Sequence, residues 1–278
     1  MNVRYKEILL VIILLAATII TGCRGEDKKP EALPGAAQPV GKGTKIGTHD
    51  PASSAFFLHN STSSGTAETI VTFGAPGDVA VVGDWDGNGT TTVGVYKPKT
   101  STFYLRNSNG NGDPDITVTF GAPGDVPIAG DWDGNGTTTI GVYKPSTSTF
   151  HLRNSNTPGN ADIVVAFGAP GDLPIVGDWD GNRTTTIGVY KRTNSTFHLR
   201  NSNAPGDADI VVHFPLDGDT SKTVPLAGDW DGNGSMSIGL WRAGTFYLRN
   251  SNTPGPGDIV TTFGLPSQSP LAGNWDGK

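Results

Sequence analysis

After residue 43 the chain is a succession of short apolar runs rich in β-branched and aromatic residues, each bounded by Gly, Pro, Asn or Asp. Runs of this kind predict β-strands joined by tight turns. Within residues 91–130 they are Thr91–Tyr96 (TTVGVY), Thr102–Arg106 (TFYLR), Ile116–Phe120 (ITVTF) and Val126–Gly130 (VPIAG). Along the second run Phe103 and Leu105 alternate with Tyr104 and Arg106. A period of two assigns the first pair to a core and the second to solvent or to a boundary between sheets.

The pattern repeats. The stretch beginning Phe103-Tyr104-Leu105-Arg106 returns at Phe150, Phe197 and Phe246, with an earlier copy at Phe56, and successive starts lie 47, 47, 47 and 49 residues apart. A fixed period in the forties with four strands per period predicts the blades of a β-propeller. Ile46-Gly47-Thr48 copies Val93-Gly94-Val95, whereas the last copy stops at Gly277-Lys278, just before that strand is due. Residues 44–74 are therefore expected to supply three strands of a blade whose axis-proximal strand is Pro270–Gly273. Residues 44–278 number 235, five periods of 47. The expected fold is all-β: a closed five-bladed propeller spanning residues 42–278, without an open edge at its seam. An open β-solenoid is the alternative, but it calls for capping repeats and none is visible.

The N-terminus follows a different pattern. Arg4 and Lys6 precede an uncharged stretch of 13 residues, Ile8–Ile20, apolar throughout except for Thr18. That is short for a membrane span and suits an export signal occupying residues 1–23. Ile20-Thr21-Gly22-Cys23 resembles the bacterial lipobox, which implies cleavage before Cys23, a lipid on its thiol, anchorage to a membrane and residence in the cell envelope. An unlipidated signal anchor is the other reading. Cys23 is the only cysteine, so no disulfide forms within the chain. Residues 24–41, rich in Pro, Ala, Gly and charge, read as a flexible tether.

Composition narrows the function. Gly 39 and Pro 20 with 17% charged residues fit many strands and turns, and a formal charge of -6 without Lys/Arg runs excludes a nucleic-acid groove. Glu occurs only at 7, 26, 31 and 68, and most Asp residues are repeat copies. The five histidines, 49, 59, 151, 198 and 213, lack ligand spacing. No nucleophile motif or asymmetric acid pair marks a catalytic centre, so an enzyme, including a carbohydrate-active one, is the least supported class.

Between the blade strands runs Gly83-Asp84-Trp85-Asp86-Gly87-Asn88-Gly89, repeated from Gly130, Gly177 and Gly228 and abbreviated at Gly273-Asn274-Trp275-Asp276-Gly277. Oxygen-bearing side chains at alternate positions of a glycine-permitted loop suit a hard cation such as Ca²⁺. They equally suit a metal-free turn, because Asp and Asn cap backbone N–H groups unaided. The fragment VVGDWDGNGTTTVGVYKPKTSTFYLRNS at 81–108, with Phe73-Gly74-Ala75-Pro76, resembles the FG-GAP or VCBS repeats of integrin-type propellers and bacterial surface proteins. Blade number and length are similar to those of tachylectin-like propellers. The resemblance implies Ca²⁺ on loop positions 1, 3, 5 and 9 and the carbonyl of position 7. Those positions are Asp84, Asp86, Asn88 and Thr92 with the Thr90 carbonyl, then Asp131, Asp133, Asn135 and Thr139; Asp178, Asp180, Asn182 and Thr186; and Asp229, Asp231, Asn233 and Ser237. A hydroxyl replaces the family's usual Asp at position 9, so weak binding is expected, and the fifth loop, with one carboxylate and Lys278, is expected to be empty.

The topology would place the Gly-Asp-Trp-Asp and Asn-Ser-Asn loops on one face. The opposite face would gather the Ala-Pro-Gly-Asp loops, with Asp78, Asp125 and Asp172, and the pairs Tyr96–Lys97, Tyr143–Lys144, Tyr190–Lys191 and Trp241–Arg242. Aromatic and charged groups around a depression suit a glycan or protein ligand; solvated turns are the alternative. Trp85, Trp132, Trp179, Trp230 and Trp275 are expected to fill gaps between blades rather than stack on sugars, and Arg106, Arg153, Arg200 and Arg249 to be structural. The sequence reads as a monomeric, surface-tethered binding or adhesion module, with a spacer lipoprotein lacking any ligand as its rival.

Overall fold

The computed structural model describes residues 43–218 and 220–278. The signal segment, Cys23 and the tether lie outside the described residues. Among the described residues, twenty strands form five four-stranded antiparallel sheets. Blade two is β4 (Val79–Gly83), β5 (Thr92–Lys97), β6 (Thr102–Leu105) and β7 (Ile116–Thr119). Blade three is β8 (Val126–Gly130), β9 (Thr139–Lys144), β10 (Thr149–Leu152) and β11 (Ile163–Ala166). Blade four is β12 (Leu173–Gly177), β13 (Thr186–Lys191), β14 (Thr196–Leu199) and β15 (Ile210–His213). Blade five is β16 (Val224–Gly228), β17 (Ser237–Arg242), β18 (Thr245–Leu248) and β19 (Ile259–Thr262). Blade one takes β1 (Lys45–Asp50), β2 (Ala55–Leu58) and β3 (Thr69–Thr72) from one end of the chain and β20 (Ser269–Gly273) from the other.

The innermost strands touch in the cycle β4–β8–β12–β16–β20–β4, which makes the molecule a five-bladed β-propeller with a closed ring. At the seam β20 pairs with β1 from Lys45↔Gly273 to His49↔Ser269, the register that Thr92↔Gly83 begins in blade two. Each sheet has two edges, an innermost strand packed among the other innermost strands around the axis and a short outer strand at the rim.

Second strands are buried on both faces because each blade is sandwiched between two others. Tyr96, Tyr143, Tyr190 and Trp241, expected on the ligand-binding face, are core residues at 0, 1, 0 and 4% exposure. Each tyrosine packs on the phenylalanine beside it across the sheet, with ring centroids 4.7 Å apart for Tyr96–Phe103, Tyr143–Phe150 and Tyr190–Phe197. Their neighbours Lys97, Lys144, Lys191 and Arg242 stay half-buried at the strand ends. The five repeated tryptophans are buried as well. Trp85 lies over Gly83, where an added Cβ would come within 2.4 Å of the indole, so the inner strand has to end in glycine.

Turns differ in one instructive place. Ser54, Ser101, Ser148 and Ser195 take φ of 51 to 56° at the hairpin between second and third strands. Their carbonyls accept N–H groups from Phe73, Phe120, Phe167 and Phe214. Blade five shortens that turn to Ala243-Gly244 at φ 52 and 91°, the positive pair of a two-residue primed hairpin turn.

Candidate functional site

The Gly-Asp-Trp-Asp loops and the Asn-Ser-Asn loops share one face, as the bond from Asn109 Nδ2 to the Thr91 carbonyl at 2.7 Å shows. In the first loop both oxygens of Asp84 accept main-chain N–H groups, Oδ1 from Asn88 at 2.9 Å and Oδ2 from Gly89 at 2.8 Å. Asn88 Oδ1 accepts from the Thr90 N–H at 2.8 Å, and its amide donates to Asp86 at 3.0 Å. The same main-chain caps recur on Asp131, Asp178 and Asp229.

Each loop is also clipped to the next blade. Asp84 N–H donates to Thr138 Oγ1 at 3.1 Å while the Thr138 N–H donates to the Asp84 carbonyl at 2.8 Å. Asp131 with Thr185, Asp229 with Thr44 and Asn274 with Thr91 repeat the pair. At the fourth junction Met236 keeps its main-chain bond to the Asp178 carbonyl but has no hydroxyl to return one.

The ninth-position residues do not enter the loops. Thr92 donates its hydroxyl to the Gly83 and Arg106 carbonyls, Thr139 to Gly130 and Arg153, Thr186 to Gly177, and Ser237 to Gly228 and Arg249. They open the blade's ladder, where main-chain carbonyls take that proton. At positions 1 and 5 the oxygens of Asp84 and Asn88 already accept main-chain N–H groups, and among the described residues no group of three or more His, Cys, Asp or Glu side chains is placed to hold a metal ion. Burial pushes the Asp84, Asp131 and Asp178 carboxyls up to about 6 and raises Asp229, against the pull of the capping N–H groups, with the second loop carboxylate adding to the rise. A positive ion between the two carboxylates would relieve both penalties.

The fifth loop holds such a charge. Lys45 Nζ lies 2.7 Å from Asn274 Oδ1, 2.6 Å from Asp276 Oδ1 and 3.1 Å from the Lys278 carbonyl, at loop positions 1, 3 and 5. Burial works against ionisation of Asp276, yet its hydrogen bond from Lys45 holds the carboxyl below its ordinary range. Sequence reading placed Lys278 as the obstacle in this loop; the side chain seated there is Lys45, from the far end of the propeller.

The buried guanidinium groups are structural. Arg106 donates to the Asp113 carbonyl and to Ser108 Oγ, holding the loop at 107–115, and Arg153, Arg200 and Arg249 repeat the arrangement. In blade one His59 replaces the arginine and pairs with Glu68 at 2.9 Å.

On the opposite face the burial of the tyrosines shifts attention to the ring in the middle of each third strand. Tyr104, His151, His198 and Tyr247 are half-buried, each near the basic residue that ends the neighbouring strand. Lys97 Nζ stands 5.4 Å from the Tyr104 ring centre. Lys191 pairs with Asp172 at 2.7 Å, and Asp125 sits by Lys144 and His151 on the linker crossing from blade two. Burial first and the adjacent lysine second lower the pKa of His151 and of His198, against Asp125 and Asp172, which raise them. Outside these rings the third strand faces the core, and the outer strand presents exposed Ile70, Val164, Val211 and Val260. The rings were legible as the alternate positions of Phe103 and Leu105; nothing in the sequence separated them from the tyrosines one strand inward.

No family model matches the chain, and no curated protein matches it. Among solved structures it is similar to the Photorhabdus luminescens Tc holotoxin pore at 14% identity and a TM-score of 0.41, over 82% of this chain and 12% of that one. It is similar also to BBS1N, crystallised in complex with ARL6DN, at 9% identity and a TM-score of 0.40, over 79% of this chain and 68% of that one.

Proposed function

We propose that this chain is a non-catalytic recognition module of the FG-GAP/VCBS type, tethered to the outside of a bacterial membrane by a lipid on Cys23. It binds a glycan or protein through the half-buried rings and basic strand ends of its blades. The observation that carries this reading is the recurrence of a half-exposed ring beside a basic group, Tyr104–Lys97, His151–Lys144, His198–Lys191 and Tyr247–Arg242, in four successive blades. A flat ring and a cation side by side are what sugar faces and acidic protein surfaces use, and repetition around a ring gives avidity to weak single contacts. Support for a non-catalytic role is that the repeated acids serve the backbone: Asp78, Asp125 and Asp172 accept the N–H groups of Ala75, Ala122 and Ala169, and the loop aspartates are capped as described. Ca²⁺ at positions 1, 3 and 5 of four loops is part of the proposal, as a brace on the face away from the ligand.

Glycan-array binding of residues 40–278 tests the reading. Saturable binding that falls stepwise as Tyr104→Ala, His151→Ala and His198→Ala are combined supports it. Absence of any ligand on glycan and surface-protein panels leaves a spacer. Loss of membrane association in Cys23→Ser is expected for the anchor.

A further inference from the structure

We propose that the Lys45 ammonium is the built-in cation of the fifth loop, a covalently tethered substitute for a free ion that fastens the first strand to the last and closes the ring without one. Three observations converge on it. The three hydrogen-bonding protons of the ammonium meet three oxygens, one each from loop positions 1, 3 and 5, in the place where a coordinated ion would sit. Lys45 stands in the register position of Thr92, Thr139, Thr186 and Ser237, opposite Gly273 as they stand opposite Gly83, Gly130, Gly177 and Gly228. The four hydroxyl residues are too short to reach the loop and bond strand carbonyls instead, whereas a lysine stem spans the gap.

Charge gives the third argument. Four loops carry two carboxylates, while the fifth has Asn274 at position 1 and so a single side-chain carboxylate, Asp276, which the Lys45 ammonium meets directly and the Lys278 charge supports from nearby. One negative charge disappears in the loop that receives a monovalent cation. Asn274 instead turns its amide to the Gly89 carbonyl at 3.1 Å, tying the seam to blade two. The placement also makes sense of the topology. The seam is the one blade without chain continuity between first and second strands, so an ion lost to dilution would weaken closure there first. A tethered cation is present at a fixed local concentration whatever the medium holds.

Hydrogen exchange of the full chain in chelator tests the proposal, comparing wild type, Lys45→Met, and Lys45→Thr combined with Asn274→Asp, which gives the fifth loop the two carboxylates and the strand-opening hydroxyl of the others. In Lys45→Met, amides of β1 and β20 should exchange about ten- to a hundredfold faster while β12 and β13 are unchanged. The melting temperature should fall by about 3 to 8 °C. The double variant should be as open at the seam in chelator and regain protection in 10 mM (about the weak-site range) Ca²⁺. Unchanged seam exchange in Lys45→Met overturns the proposal, as does a double variant whose seam ignores Ca²⁺. Should Lys45→Met fail to fold, Lys45→Arg, which keeps the charge, must fold; its failure too would mean that the stem's packing, not its cation, closes the ring. The substitute role rests in part on the reading of Ca²⁺ in the other four loops, and that reading fails separately. Wild-type blades two to five that exchange identically with and without Ca²⁺ would sink it, while the Lys45→Met comparison would stand.

Discussion

His49 occupies the place that Tyr96, Tyr143, Tyr190 and Trp241 hold in the other blades, with its ring 4.5 Å from Phe56. It is 1% exposed, and neither ring nitrogen has a hydrogen-bond partner. Burial lowers its pKa from 6.5 to about 4. A base whose folded-state pKa is depressed leaves stability intact above its unfolded value of 6.5 and removes it as pH falls from there toward 4. The full effect is about 3 kcal/mol. The buried loop aspartates act with the opposite sign, because carboxyls raised to about 6 bind protons better folded than unfolded. The difference between wild type and His49→Tyr isolates the histidine: melting temperatures of the two should diverge on acidification from pH 7 to 4.5, with the wild type losing more. Parallel curves would refute it. A second residue-scale expectation concerns the strand ends. Tyr143→Ala should lower stability by about 3 to 5 kcal/mol by emptying a packed ring site. Lys144→Ala should leave chemical denaturation nearly unchanged and weaken only ligand binding. These roles were partly legible: the alternation marking Phe103 as core was visible, but Tyr96 reads as a surface aromatic beside Lys97 until both faces of its strand are known to be covered.

Between elements, the blade-to-blade clips carry a prediction of their own. Thr185 both donates its N–H to the Asp131 carbonyl at 2.7 Å and accepts the Asp131 N–H on its hydroxyl at 3.0 Å. Thr185→Val keeps shape and removes only the second bond, leaving a buried N–H without that partner. A loss of about 1 to 3 kcal/mol is expected. Urea unfolding with an unchanged m-value would register it; an unaltered midpoint would show that the hydroxyl is replaceable by water. Met236 already lacks the hydroxyl at its own junction, so that junction is expected to be the first to open in hydrogen exchange after the outer strands. Strand positions were well marked in the sequence, because β-branched runs end at glycines that the geometry demands, as Gly83 does under Trp85. The clips were not, since Thr91, Thr138 and Thr185 read as one more strand-opening threonine, and their partners lie in the preceding blade.

For the whole molecule, the fixed period in the sequence already determined the number of blades and the seam, because each blade contributes equally and only blade one draws on both ends of the propeller. What period alone could not show is that the fifth loop is filled by Lys45 while the other four carry paired carboxylates. That asymmetry sets the expected response to Ca²⁺. With the ninth-position hydroxyls turned to carbonyls, Ca²⁺ bound as proposed would have only positions 1, 3 and 5 and nearby carbonyls to hold it, and its affinity would fall in the weak extracellular range of about 10⁻⁴ to 10⁻³ M. Free Ca²⁺ equal to the dissociation constant adds about 0.4 kcal/mol per site, and tenfold excess about 1.4, hence about 5 to 6 kcal/mol over four sites. At about 2 to 4 °C per kcal/mol for a domain of this size, the melting temperature should climb by roughly 10 to 20 °C across a titration reaching 10 mM. The climb should be gradual, without a plateau at micromolar ion, and should shrink by about a quarter for each loop disabled by Asp86→Asn, Asp133→Asn, Asp180→Asn or Asp231→Asn. Asp276→Asn should behave differently: it lowers the melting temperature in chelator and leaves the Ca²⁺ increment intact, because the fifth loop's cation is the lysine. A melting temperature indifferent to chelator and millimolar Ca²⁺ would leave all four loops as self-capped turns.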